Sequence, residues 1–356
     1  MTALTATDIH RLIKQGEVIS ELNLDGINLQ GFDLSGGIFQ DVSLIGANLQ
    51  GANLKETVFT ECQLDRADIR QAKIEQVIFN QCEMSGLTAD ETNLSETVFN
   101  QCVLTNSNFA RSVLLSTQFM QCPLTQGQFK QAQFDRCVFF ESTLDEAHFD
   151  GCKCLLTTFY NIDLRKVFLT PGEFDRTVFF NCDQRSKNYD HQRFTGCQFT
   201  DCVMDKVQFN GAHLTQCNFK GASLKDALFN QVNASQALFM EADLTEAECK
   251  GSLFDQAILV GAVLERADFS GSRFFQSILQ QTRASQALFM RCDLTYSDFS
   301  GADLRGADFR AATFSRTRMH RARQENAQFS GRRGILEFDE ELLAAEAWSA
   351  QRQSRS

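Results

Sequence analysis

From Leu24 to Phe329, every position whose number ends in 4 or 9 keeps one register, and most of these positions hold Leu or Phe. Two residues before each stands Ala, Cys, Ser, Thr or Val in most cases, so a large and a small residue alternate along a five-residue period. Such a period matches neither the turn of a helix nor the simple alternation of a strand. It fits a chain that turns a corner after each short extended piece. Within a piece the large residue and the small one two before it point the same way, because strand side chains alternate, and both face inward. The positions between hold Asn, Asp, Gln, Ser, Arg, Lys and Gly, as in Ala47-Asn48-Leu49-Gln50-Gly51, and face out. Glycine recurs two residues after the large one, as at Gly26, Gly46 and Gly51, where a corner with positive φ would fall.

A second, longer period sets the number of corners. Every twentieth residue from Phe39 to Phe239 is Phe, followed by Leu259, Leu279 and Phe299, and Cys62, Cys82, Cys102 and Cys122 keep the same spacing. Four pentapeptides therefore make one coil. Identical residues stacked above one another are what a parallel, in-register solenoid produces, with coils about 4.8 Å apart. The use of 33 Phe against 3 Tyr and 1 Trp fits Phe as a repeated structural part. A repeat can fill 356 residues as one body.

Runs such as Ala47 to Leu54 and Ser297 to Phe309 follow the pattern A(D/N)LXX. In these residues the chain resembles the pentapeptide repeat proteins, over about Leu22 to Phe329. The resemblance implies an all-β solenoid, a right-handed quadrilateral β-helix with short capping α-helices at the termini; the handedness comes from the family and not from the spacing. About fifteen such coils would make a rod on the order of 70–75 Å long.

Five segments are expected. Residues 1–18 form an N-terminal capping helix, with Thr5 to Asp8 as its N-cap, Ile9, Leu12 and Ile13 as its apolar stripe and Gly16 closing it. Leu22, Ile27 and Phe32 exceed the usual small residue, which suits a wider mouth under that helix. The β-helix runs over 19–183 and 194–333. Between them, 184–193 is an irregular loop or break, because Gln184, Lys187 and Gln192 occupy inward slots and would cost about 1–3 kcal/mol each if buried without partners. Residues 334–356 form a C-terminal helix and disordered tail, with Phe338, Leu342 and Trp348 along one side to cover the last coil or contact a second copy.

The thirteen cysteines all occupy inward columns and no pair has Cys-x-x-Cys zinc spacing, so they read as small buried hydrophobes and no metal is expected. The five histidines are scattered, no phosphate loop, dinucleotide fingerprint or nucleophile elbow occurs, and a filled coil offers no cavity. No enzyme and no cofactor are expected. A net charge of −11 argues against direct nucleic-acid binding, and no stretch is apolar enough for a membrane span. The N-terminus lacks a secretory pattern, leaving a cytoplasmic location as the expectation. Between Arg305 and Gly334, eight arginines face only Asp308 and Glu325, a surplus of six on an otherwise acidic chain.

The expected function is a protein–protein interaction scaffold, with an adaptor in a bacterial assembly or secretion system as one form. Its candidate contacts are the loop residues Gln184, Arg185, Lys187, Tyr189 and His191, the basic end with Arg316, Arg318, Arg321 and Arg323, and the helix residues Phe338, Leu342 and Trp348. The partner would be another protein, and the chain a monomer or a homodimer through the C-terminal helix. The resemblance supplies an alternative, since some quinolone-resistance and toxin-immunity members are acidic rods that bind DNA gyrase in place of DNA.

Overall fold

The computed structural model describes residues 4–353, which divide into two compact units, Met1–Asp183 and Gln184–Ser356. Each is a parallel β-solenoid of four-sided coils. In the first unit the Leu44 amide donates to Gln63 O in the next coil at 2.7 Å and the Asn48 amide to Ile27 O in the previous one at 2.9 Å. The Ala47 amide closes the corner onto Leu44 O at 3.0 Å. The second unit repeats the set at Leu244 to Val263 (2.7 Å), Glu248 to Ala227 (2.9 Å) and Ala247 to Leu244 (3.0 Å). Buried backbone groups are thus paired coil to coil.

Strand character differs between sides. The first unit carries a nine-stranded parallel sheet from Val18–Ser20 through Ile38–Gln40 and Val58–Thr60 to Val178–Phe180. Its register steps by one coil, with Ile38 beside Val58 and Phe39 beside Phe59. A second row of strands runs from Ile74–Glu75 to Gly172–Asp175. In the second unit most sides are held by single bridges, such as Gln198 with Asn218 and Val203 with Ser223.

The interior is the stack that the period of twenty predicts. Phe99 and Phe119 lie 5.0 Å apart at 3°, Phe119 and Phe139 4.8 Å apart at 8°. A second column, Phe109, Phe129 and Phe149, meets the first edge-on, with Phe119 and Phe129 at 6.0 Å and 81°. Offset stacks and edge contacts are the favoured aromatic geometries. The small column has its own chemistry. Cys102 Sγ reaches Phe79 O at 3.3 Å, Ser112 Oγ donates to Ala89 O at 2.7 Å and Thr177 Oγ1 to Cys154 O at 3.1 Å. A carbonyl of the preceding coil therefore receives the hydroxyl or thiol, which is why Ser, Thr and Cys share these slots with Ala.

Corners take positive φ as expected, but glycine holds only a minority of them. Gln101 (φ 52°) and Gln236 (φ 61°) are two of many polar residues there, at about 1–2 kcal/mol each for the left-handed conformation. Stacking offsets part of that cost: Gln81, Gln101, Gln121 and Glu141 form one side-chain ladder, with successive hydrogen bonds of 3.3, 3.3 and 3.0 Å. One corner tolerates nothing else. At Gly334 (φ 94°) a Cβ would stand 2.2 Å from Phe314 O, where the last turn shortens and Thr317 pairs with Ile335.

Helix α1 (Ala6–Lys14) has Thr5 and Asp8 in a reciprocal capping box, and it buries Ile9 and Ile13. A Cβ on Gly37 would come within 3.2 Å of Ile13 Cδ1, so this glycine makes room for the cap. Leu22, Ile27 and Phe32 are half-buried, and Phe32 meets His10 of the helix edge-on at 6.2 Å. Lys14 Nζ ties the helix to Asp33 at 2.6 Å. Helix α2 spans Glu340–Gln353.

Candidate functional site

The expected loop at 184–193 does not leave the solenoid. The amides of Gln184, Tyr189 and His191 donate to Val203, Gln208 and Asn210 at 2.7, 2.7 and 2.8 Å, the same kind of ladder that Leu44 and Leu244 make. The reason is that the polar slots are partnered. Tyr189 OH donates to Gln184 Oε1 at 2.7 Å, and Gln184 Nε2 lies 3.8 Å from Cys202 Sγ. Both residues are buried, and the Tyr189 ring stacks on Phe209 at 5.4 Å in the place of a column Phe. Gln192 is buried too, with Nε2 donating to Arg193 O at 3.4 Å. The signal was present in the sequence as a tyrosine in a phenylalanine column five residues after a glutamine.

Of the other loop candidates, Arg185 and His191 are exposed and Lys187 is half-buried, its ammonium pKa lowered by burial. His191 occupies a corner (φ 60°) and its ring covers Gly211, where a Cβ would stand 2.5 Å from Nδ1. Beside it Asp190, Asn210, Asn230 and Lys250 form a ladder of hydrogen bonds at 2.7–3.3 Å.

The basic end is largely neutralised by carboxylates that linear counting misses. Arg318 lies 3.8 Å from Asp298 and 3.7 Å from Asp339, and Arg323 lies 3.9 Å from Asp303. Arg321 pairs with Glu346 of α2. Arg316 covers the Tyr296 ring at 5.8 Å. All four guanidinium side chains remain exposed.

The cover expected of Phe338 and Trp348 is not formed by these side chains, which are 75% and 57% exposed; the side chain of Leu342 lies outside the described residues. Polar contacts hold this region instead: Asp339 N–H donates to Nδ1 of buried His320 at 3.2 Å, and Glu346 approaches His320 and Arg321. Amphipathic spacing shows which residues share a helix side, while the docking of that side depends on groups 19 or more residues away.

One surface was not singled out from the sequence. The nine-stranded sheet turns outward a row of Val18, Ile38, Val58, Ile78, Val98, Gln118, Val138, Thr158 and Val178. Val18, Ile38 and Ile78 are 49%, 46% and 41% exposed. Two residues along each strand, Phe140, Tyr160 and Phe180 stack outside the core at 4.9 and 5.4 Å. Matching columns on two other sides open with Asn23, Ser43 and Gln63, and with Asn28, Asn48 and Asp68. Single apolar residues also stand outward on other sides, Val113 at 39% and Phe168 at 47% exposed, but the run on this side is visible by reading the outward positions with the period of twenty.

Among the described residues, no group of three or more His, Cys, Asp or Glu side chains is placed to hold a metal ion, and no helix is long and apolar enough to cross a membrane.

The family model described as pentapeptide repeats (8 copies) matches residues 23–60, 43–81, 193–231, 222–259, 242–281, 279–310 and 287–323. A model described as a pentapeptide repeat region matches 72–149. No curated protein matches the chain. Among solved structures, the chain is similar to HetL, a pentapeptide repeat protein involved in heterocyst differentiation regulation from the cyanobacterium Nostoc sp. The identity is 16%, over 80% of this chain and 96% of HetL, with a TM-score of 0.24. It is also similar to trypsin-treated QnrB1, a plasmid-mediated fluoroquinolone resistance protein, at 22% identity over 55% of this chain and 88% of that one, with a TM-score of 0.25. With its five-residue period, its stacked coils and family matches over more than half its length, the chain belongs to the pentapeptide repeat family.

Proposed function

We propose that the protein is a non-enzymatic interaction scaffold that presents a flat side of its solenoid to another protein. The observation that carries this reading is the exposed apolar row Val18, Ile38 and Ile78 on the nine-stranded sheet. These side chains serve no packing inside the unit, whose interior is filled by the Phe and Leu columns. Contiguous exposed apolar surface with polar surroundings marks interaction sites. The reading takes the scaffold to work in a reducing compartment such as the cytoplasm, with which thirteen buried cysteines are compatible. Arg185 and His191, and Phe338 and Trp348, are secondary contact candidates because they are exposed.

Weighing against the DNA-mimic alternative, many exposed carboxylates are interleaved with cations one coil away, as in Lys55 with Glu75 at 3.1 Å, Arg111 with Glu91 at 2.8 Å and Arg266 with Glu246 at 2.7 Å. A duplex mimic needs a continuous anionic track. The test of the scaffold is capture of host proteins on immobilised wild type and on an Ile38→Lys/Ile78→Lys variant. A captured protein lost with the variant supports the reading; an unchanged set of captured proteins removes this face from function. Inhibition of gyrase supercoiling at stoichiometric amounts would instead revive the mimic.

A further inference from the structure

We propose that the outward face of the nine-stranded sheet binds a second copy of this chain, antiparallel, about a two-fold axis that runs along the strands at Gln118. The inference rests on the reading of this face as an interaction surface and names its occupant. Rotation about such an axis keeps each column opposite itself while reversing the order of coils, so self-complementarity can be read from the columns.

The corner columns beside the face hold Lys55 and Glu56 three coils before the axis, Glu96 one coil before it, Arg136 one coil after it, and Asp175 and Arg176 three coils after it. Reversal about Gln118 sets Lys55 opposite Asp175 of the second copy, Glu56 opposite Arg176, and Glu96 opposite Arg136. By symmetry each pair occurs twice. No like charges meet in the columns of the face or its two corners between coils 58 and 178. Sliding the copies by one coil in either direction loses all of these pairs and sets Glu75 opposite Asp135 or Asp175. The parallel arrangement, which exchanges the two corners, places Glu56 near Glu61. Like-charge juxtaposition selects against wrong registers.

Shape follows the same reversal. Phe140, Tyr160 and Phe180 fall opposite Asn100, Asn80 and Thr60, large rings against smaller side chains, while Val98 meets Val138 and Val58 meets Val178. The charged groups are exposed in the single chain: Arg136 and Arg176 lie 3.1 and 3.2 Å from their neighbours Asp135 and Asp175, and Lys55 lies 3.1 Å from Glu75 and 3.8 Å from Glu56. Association joins Lys55, Glu56, Asp175 and Arg176 into a four-charge cluster. The seven overlapping coils, at about 4.8 Å each, cover on the order of 600 Å² per copy. The total of about 1,200 Å² clears the roughly 1,000 Å² of a specific interface.

The test is sedimentation velocity on the full chain from about 1 to about 100 µM, the range of a modest interface. Wild type is expected to dimerise, more weakly at high salt. Arg136→Glu/Arg176→Glu and Glu56→Arg/Glu96→Arg should each weaken the dimer by at least about tenfold, because four attractive pairs become repulsive in either variant. Mixed in equal amounts, the two variants should form a heterodimer tighter than wild type, and all four changes in one chain should restore self-association. Unchanged far-UV circular dichroism excludes misfolding as the cause. A wild type monomeric at all concentrations, a dimer indifferent to the reversals, or a mixture that stays monomeric each overturns the proposal. A monomer whose captured protein is still lost on Ile38→Lys/Ile78→Lys overturns the second copy as occupant while leaving the scaffold in place.

Discussion

Phe119→Ala probes the structural premise that the outer faces are held by a packed interior. The ring is fully buried, lies between Phe99 at 5.0 Å and Phe139 at 4.8 Å, and is met edge-on by Phe109 and Phe129 at 5.9 and 6.0 Å. Truncating a buried Phe costs about 3–5 kcal/mol through lost transfer energy and the cavity left behind. Two stacked neighbours held by coil-to-coil hydrogen bonds cannot collapse into the gap, so the loss should fall near about 5 kcal/mol. Phe119→Leu should cost only about 1–2 kcal/mol, since the same column carries Leu259 and Leu279. Phe39, stacked only on Phe59 in its column, should lose less than Phe119 on truncation to Ala. Urea unfolding followed by far-UV circular dichroism measures these differences, with a constant m-value confirming that the same surface is exposed. A solenoid's stability is a sum over repeats and their interfaces, so a central lesion should register in full. A loss below about 1 kcal/mol for Phe119→Ala refutes the packed stack.

Tyr189→Phe leaves the buried Oε1 of Gln184 without its hydroxyl donor and should cost about 1–2 kcal/mol; adding Gln184→Leu should recover most of that in a double-mutant cycle, and independent effects would mean the pair is not coupled. Lys187 titrates below the usual 10.5 because burial disfavours its charge. Between the lowered value and 10.5 the folded chain binds fewer protons than the unfolded one, so stability rises with pH across that window. Urea midpoints at about pH 8 and about pH 10 should show a rise that Lys187→Met reduces. Burial pushes the thiol of Cys122 up to about 11 and those of Cys137, Cys152 and Cys292 to about 12. A thiol reagent at about pH 8 should label none of the cysteines in the native protein and all thirteen in denaturant; rapid native labelling would show an open column.

The sequence by itself determined the coil, its four sides and the membership of the inward columns. A side chain that recurs every five and every twenty residues has only one repeating geometry in which it is buried each time, and that geometry is local enough to be counted. Thr5 and Asp8 were legible for the same reason, since a cap satisfies amides within one turn. What only the tertiary structure decided concerns groups brought together from a distance. Gln184 looked unfit for burial until Tyr189, on the adjoining side, supplied its donor. The surplus of arginines after Arg305 looked like a basic patch until Asp298, Asp303, Asp339 and Glu346 were folded against it. The outward row from Val18 to Val178 became a surface when the strands stacked in register. Burial cost and charge depend on what stands within a few ångströms. A linear count sees that only where the repeat itself places the neighbour.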